Sequence, residues 1–231
     1  MKPGCALVVF LTAASYCGAQ IRAGAGGSEN VQGGMSLRAG ATISSARLRH
    51  KLVGKAVAAF SRSMKFANAG IWQNGALELE KAVAIDPGFS EAHGNLGVHY
   101  MALGRVDEAV REFRRAISLD PTTSIHHSNL AYTMLLLRRP AEAEAEAHAA
   151  LGLDSANFTA HYVLGLLFLR HAEERAKAVH HLVYAARGLP EAHSALAQLY
   201  HAEGNDPFAT RELERYKKSG ESQRTEYGSE K

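Results

Sequence analysis

Cysteine is almost absent from this sequence of 231 residues, and the two that occur, Cys5 and Cys17, both lie near its start. Beyond them the chain has no thiol, which excludes internal disulfides there and a cysteine nucleophile; this usage fits an exported protein without requiring export. Aromatic residues make up only 7% of the chain. The β-branched and aromatic residues that favour sheets are therefore scarce, and a β-sheet protein is disfavoured.

Blocks of like charge and enzyme motifs are also missing. The net charge is +3, and acidic and basic residues are interspersed along the chain. Without a basic stripe, no nucleic-acid partner is expected. The sequence contains no G-x-S-x-G elbow, no Walker loop and no H-E-x-x-H pair. It therefore predicts a protein that is not an enzyme, with no catalytic residue, no cofactor and no metal site.

The first residues have the pattern of a secretory signal peptide. Lys2 supplies the charged start, and residues 15–19 supply a polar end with small side chains. The apolar run between them, residues 5–14, is roughly half of what a membrane-spanning helix needs. We expect cleavage after Ala19, an exported chain in the periplasm or outside the cell, and no membrane span in the mature chain. Lipidation of Cys17 and a retained anchor are the alternatives.

The next segment, residues 20–55, is rich in glycine, alanine and serine and has no sustained periodicity. It is interpreted as a disordered linker that ends in a short basic stretch. From Lys55 onward alanine, leucine, glutamate and arginine dominate, and these are helix-forming residues. At the other end, residues 219–231 are polar and are predicted to be a frayed tail.

The central stretch, residues 91–121, is typical of two short amphipathic helices joined at Gly104. Large apolar side chains recur at helical spacing, and small residues stand where two helices would approach closely. Pro121 would end the second helix, because proline has no backbone N–H to donate. The residues that define the pattern are Leu96, Gly97, Tyr100, Gly104, Ala109, Phe113, Ala116 and Pro121.

These spacings resemble the tetratricopeptide repeat, a helix–turn–helix unit of about 34 residues. The pattern recurs across residues 56–218, with predicted units at 56–89, 90–123, 124–157, 158–189 and 190–218. The first unit is degenerate in its first helix, and the fourth has an extra residue around 172–175. The resemblance implies an all-α fold, a right-handed α-solenoid whose first helices line a concave groove.

The resemblance also implies which residues line that groove. The candidates for binding a peptide or protein segment are Asn95, Val98, Met101, Asn129, Tyr132, Leu135, Tyr162, Leu166 and Gln198. Asn95 and Asn129 stand where some family members bind the backbone of an extended peptide through carboxamide groups. The alternative is that each asparagine only hydrogen-bonds to neighbouring backbone.

Histidine recurs at the fourth position of four successive units: His93, His127, His161 and His193. A metal ladder is a remote hypothesis, because adjacent helices pack about 8–10 Å apart whereas zinc lies about 2 Å from each ligand nitrogen. Packing against the paired helix is the favoured interpretation. The acidic residues are assigned to outer, solvated helix faces.

Together these patterns predict an exported scaffold that binds a protein or peptide, and they leave the identity of that partner and the oligomeric state open. The alternative in another class is a self-assembling structural subunit of a secretion or export complex in the cell envelope. A metal-binding role for the histidines is the remote third.

Overall fold

The computed structural model describes residues 51–228, with side chains described to residue 219, and within these residues the chain is helical with no strand. This confirms the all-α prediction. The helices are α1 Gly54–Asn68, α2 Trp72–Ile85, α3 Ser90–Ala102, α4 Val106–Leu119, α5 Ser124–Leu136, α6 Pro140–Leu153, α7 Phe158–Phe168, α8 Arg175–Ala185, α9 Glu191–Ala202 and α10 Asp206–Gly228.

The helices pack as five consecutive hairpins, α1 with α2, α3 with α4, and so on to α9 with α10. The chain divides into two compact units at the 122–123 boundary. The first unit holds α1–α4. The second holds α5–α10, in which α6 packs on α7, α8 packs on α9 and α5 packs on α7. Within residues 51–228, every helix is too short or too polar to cross a lipid bilayer.

A left-handed backbone residue ends the first helix of most hairpins. Gly70, Gly104 and Gly204 have φ of 71°, 75° and 72°. Glycine reaches this conformation without a Cβ clash, so the chain can reverse within two or three residues. In the third hairpin Arg138 takes this place with φ of 57°.

Aspartates order the loops that join one hairpin to the next. The Oδ1 atoms of Asp86, Asp120 and Asp154 each accept a hydrogen bond from the backbone N–H two residues later, at 3.2, 3.1 and 2.9 Å. Each aspartate follows the last residue of a second helix. These turns stop the helix and satisfy backbone donors that would otherwise lack a partner.

The extra residue predicted in the fourth hairpin coincides with a short 3-10 turn, Ala172–Glu174, just before α8. The alternating alanine and glutamate run of residues 141–147 lies inside α6, and Pro140 stands in that helix's first turn, where no backbone donor is needed. At the C-terminal end the structure differs from the sequence-based prediction. Helix α10 continues to Gly228, well past the predicted end of the repeats at 218.

Residues 1–50 and 229–231 lie outside the described part of the chain. The predicted signal peptide and most of the predicted linker fall there, whereas α1 begins at Gly54, inside the predicted linker. The export prediction therefore stays a prediction.

Within the second and fourth hairpins, a glycine on the first helix stands against a larger residue on the second. An added Cβ at Gly97 would meet the Phe113 ring at 2.6 Å, and one at Gly165 would meet Leu182 Cγ at 2.7 Å. Phe113 and Leu182 are fully buried. The glycines therefore set the distance between paired helices, and the large side chains fill the space that remains.

Asn157 joins the third hairpin to the fourth through three hydrogen bonds. Its Oδ1 accepts from the backbone N–H of Ala160 at 2.9 Å, which caps α7. Its Nδ2 donates to the hydroxyl oxygens of Ser124 and Ser128 on α5, each at 3.3 Å. One side chain thus satisfies a helix terminus and a helix–helix contact together.

We expect Asn157→Ala to lower the free energy of unfolding by about 1–2 kcal/mol, because the cap and the buried serine contacts are lost together. Asn157→Asp is the matched control, since it keeps the cap acceptor and loses only the two donors. Urea denaturation, followed by circular dichroism, measures the free energy of unfolding of both variants. Equal losses for Ala and Asp would show that the cap contributes nothing.

Candidate functional site

In the second unit, the first helices of the hairpins and the residue that ends α7 carry a set of aromatic and aliphatic side chains that is only partly covered. We call Tyr132, Tyr162, Leu166 and Leu169 the Tyr–Leu patch. The rings of Tyr132 and Tyr162 are stacked, with centroids 6.5 Å apart. Tyr132 is buried, whereas the other three side chains are half-buried.

The patch rests on a firm base. Tyr162, Leu166 and Leu169 pack against a buried cluster drawn from α8 and α9, made of Leu182, Ala185, Ala192, Ala195 and Leu196. Side chains supported in this way hold one orientation while part of their apolar surface stays open to solvent. Such a surface binds with little loss of side-chain entropy.

The other candidate residues of the second unit differ in exposure. Leu135 is half-buried and Gln198 is exposed. Asn129 is buried. Tyr162, Leu166, Leu135 and Gln198 thus keep part or all of their side-chain surface open to solvent.

In the first unit the candidate residues on α3 are buried. Asn95 is 4% exposed, and Val98 and Met101 are buried as well. The Asn95 Nδ2 donates to the backbone carbonyl of Glu91 in the same helix, at 2.8 Å. This local hydrogen bond is the alternative role considered for asparagine at this position, and it does not test whether Asn95 also binds a ligand.

The fourth-position histidines contact the second helix of their own hairpin. His93 Nδ1 lies 2.6 Å from Glu112 Oε2, His127 Nδ1 lies 2.7 Å from Glu146 Oε2, and His193 Nδ1 lies 2.6 Å from Glu212 Oε2. Each pair spans the same 19 positions of sequence. The histidines thus tie the two helices of a hairpin together.

This pairing corrects the assignment of all acidic residues to solvated faces. Glu212 is buried, and Glu112 and Glu146 are only partly exposed. The assignment was wrong because each of these carboxylates faces a histidine of the paired helix, a contact that the pattern of a single helix does not contain. The constant separation of each histidine and glutamate along the sequence is the signal that could have found them.

The fourth hairpin has two histidines in place of this His–Glu contact. His161 Nδ1 and His181 Nδ1 are 2.8 Å apart, and His161 Nε2 lies 3.1 Å from the backbone carbonyl of Ser155. Since a carbonyl only accepts, His161 carries its proton on Nε2 when neutral, and its Nδ1 then accepts from His181 Nδ1–H. Burial lowers the pKa of His161, and burial and then the neighbouring histidines lower the pKa of His181 to about 4.

No group of three or more histidine, cysteine, aspartate or glutamate side chains among the described residues is arranged to hold a metal ion. Three of the four fourth-position histidines face a glutamate of their own hairpin. The ladder thus divides into separate His–Glu pairs.

Comparison with known proteins supports the repeat assignment. Residues 90–123 match the sequence model of the tetratricopeptide repeat family. No curated protein matches the chain. Among solved structures, the chain is similar to TTC0263, a thermophilic tetratricopeptide protein of Thermus thermophilus, with 20% identity, a TM-score of 0.63, and coverage of 75% of this chain and 97% of that one.

Two further solved structures have the same fold. PilW, a type IV pilus biogenesis factor, is 20% identical to this chain with a TM-score of 0.63, and the alignment covers 73% of this chain and 79% of PilW. YrrB, described as a tetratricopeptide protein with an unusual peptide-binding site, is 15% identical, covers 70% of this chain and 84% of its own, and has a TM-score of 0.50. At these identities the likeness establishes the tetratricopeptide type of fold and nothing finer.

Proposed function

We propose that this protein is a non-enzymatic scaffold that binds a segment of another protein along the Tyr–Leu patch of its second unit. The observation that carries the proposal is the partial exposure of Tyr162, Leu166 and Leu169 above a fully buried cluster. Half-exposed aromatic and aliphatic side chains held in fixed positions are what protein-binding surfaces use as anchors.

The polar groups beside the patch suit a polypeptide ligand. Gln198 is exposed on α9, and its carboxamide has both a donor and an acceptor for a peptide backbone. A segment laid across the first helices would place apolar side chains on the patch and backbone groups near such amides. The fold that this chain shares with YrrB, a protein with a peptide-binding site, is compatible with that mode.

The proposal includes export. Its support is the N-terminal sequence alone, where Lys2, the apolar residues 5–14 and the small residues before Gln20 follow the order of a signal peptide. The partner would then be a protein of the same exported compartment.

A photo-crosslinking experiment tests both parts. Benzoylphenylalanine is placed at Leu166 in the full chain, expressed in its source cell, and covalent adducts are sought in the exported fraction. Val183 on α8 is the matched control site, because it belongs to the same unit, lies on a second helix and is 47% exposed. We expect discrete adducts from position 166, lost when Tyr162→Ala is added, and none from position 183.

Equal adducts from both sites, or none from position 166, would contradict binding at the patch. Retention of the whole chain inside the cytosol would contradict export and leave the binding result standing. Thermal unfolding of the Tyr162→Ala variant verifies that loss of adducts reflects the patch rather than loss of the fold.

A further inference from the structure

Glu191 is a buried acid that lacks a counter-charge. It is the first residue of α9, and it is 7% exposed. Neither of its carboxylate oxygens has a hydrogen-bond partner on another described residue, and the backbone N–H of Glu191 itself lies close by. Burying a carboxylate in this state is unfavourable, and buried polar groups of folded proteins nearly always have partners. An unpartnered one therefore points to a group supplied from outside the described chain.

The start of the helix does not by itself account for this burial. Glu91 holds a similar place near the start of α3, where it is half-buried and accepts a hydrogen bond from the Ser90 hydroxyl at 3.1 Å. A helix N-terminus favours an acid through its dipole, which acts on exposed side chains as well. Glu191 has a similar local position, but its side chain is buried and its carboxylate has no hydrogen-bond partner on another described residue.

Glu191 is next in sequence to the buried cluster that supports the Tyr–Leu patch. The next residue, Ala192, and Ala195 one turn later are part of the cluster on which Tyr162 and Leu166 rest. The pKa of Tyr132 is raised to about 12, first by burial and then by the negative charge of Glu191. The charge of Glu191 thus acts on Tyr132, whose ring is stacked on that of Tyr162.

The ion pairs of the second unit join other acids. Arg175 pairs with Glu203, Lys177 with Glu174, and Arg215 with Glu212. None of the ion pairs found among residues 123–219 includes Glu191. Burial raises the pKa of the Glu191 carboxyl, and its own backbone N–H offsets this only in part.

We propose that Glu191 anchors an arginine side chain of the bound protein segment, with the guanidinium donating to both carboxylate oxygens and packing against the ring of Tyr162. This rests on the proposed function and names the chemistry of its partner. Two unpaired oxygens match the fork of an arginine better than the single ammonium of a lysine. The weak hydration of the guanidinium and its tendency to stack on aromatic faces suit a buried site lined by tyrosine.

The test uses the full chain and three short probes that differ in one side chain: acetyl-Ala-Arg-Ala-amide and its lysine and citrulline analogues. Citrulline keeps the shape of arginine and lacks the charge. Binding is followed by NMR titration of backbone amides in α5, α7 and α9. We expect saturable shifts in these helices with the arginine probe, and at least tenfold weaker binding of the citrulline probe and weaker binding of the lysine probe.

Two protein variants with the same change in net charge complete the design. Glu191→Gln should weaken binding of the arginine probe at least tenfold, whereas Glu214→Gln, on an exposed position of α10, should leave it unchanged. Equal affinity of Glu191→Gln and Glu214→Gln, or of the arginine and citrulline probes, would overturn the anchor. The probe comparison needs no mutation, so it decides the matter even if Glu191→Gln fails to fold.

Failure of this proposal is distinguishable from failure of the proposed function. The arginine and citrulline probes could bind equally well while adducts from position 166 persist. That result would contradict the role of Glu191 as an arginine anchor and would leave the proposed scaffold function standing. Adducts that vanish in Glu191→Gln but not in Glu214→Gln would support the anchor in the context of the natural partner.

Discussion

Replacing Gly97 with alanine is expected to lower the free energy of unfolding of the first unit by about 2–3 kcal/mol. The added Cβ would lie 2.6, 2.7 and 2.9 Å from three carbon atoms of the Phe113 ring. Phe113 is fully buried between the paired helices, so the ring has no space to move into. The helices α3 and α4 must then separate, or the ring must leave its rotamer.

A double-mutant cycle isolates this contact. Phe113→Ala alone should lower the free energy of unfolding by about 3–5 kcal/mol, through lost apolar burial and a cavity. In that background Gly97→Ala should have no cost, because the atoms it would strike are gone. The double variant has alanine at both places, as the third hairpin does naturally with Ala131 and Ala147.

Urea denaturation followed by the fluorescence of Trp72 measures the cycle. Trp72 is the only tryptophan of the sequence and lies in α2, so its emission reports on the first unit. We expect the two changes to be non-additive by at least about 2 kcal/mol, as is usual for side chains in direct contact. Additive losses would mean that Gly97 does not set the spacing of α3 and α4.

Acidification is expected to destabilise the second unit through the His161–His181 pair. Both residues have lowered pKa values, that of His181 being about 4, so the unfolded chain binds more protons than the folded one between about pH 6.5 and 4. The contribution of the pair to stability is therefore full above about pH 6.5 and falls as the pH drops. Between pH 7 and 5 the loss should be about 1 kcal/mol, allowing for the partial exposure of His181.

His181→Gln is the variant that tests this origin. A glutamine amide can still donate to His161 Nδ1, but it does not titrate. The remaining charged or titratable neighbours of the pair, His148, Asp154 and His180, are unchanged. In this variant, at least half of the loss of unfolding free energy between pH 7 and 5 should disappear. Urea denaturation with circular dichroism at both pH values measures it. An unchanged pH dependence would show that other groups cause the loss.

The hairpins were predictable because each rests on local spacing. The turn at Gly104 and the close approach at Gly97 follow from residues within one repeat length. The extra residue of the fourth hairpin was also visible as a shift of the pattern, and it coincides with the 3-10 turn. Local rules of helix packing and turn geometry determine all of these features.

The candidate site was less predictable, because exposure depends on several helices at once. Asn95 and Tyr162 were both expected in a groove, yet the first is buried and the second half-exposed. The lack of a hydrogen-bond partner at the buried Glu191 carboxylate is a property of the folded chain, which no spacing within one repeat encodes.

The His–Glu contacts bear on how freely the hairpins of this chain can be exchanged. His93 and Glu112 lie in the same hairpin, as do His127 and Glu146 and also His193 and Glu212. A hairpin that is duplicated or moved as a cassette, cut at its loops, thus carries both partners with it. A crossover inside a hairpin would instead separate the two partners, including His161 and His181 of the fourth hairpin, which lie 20 positions apart. Cassette boundaries for recombination or repeat engineering therefore belong at the loops that hold Asp86, Asp120 and Asp154.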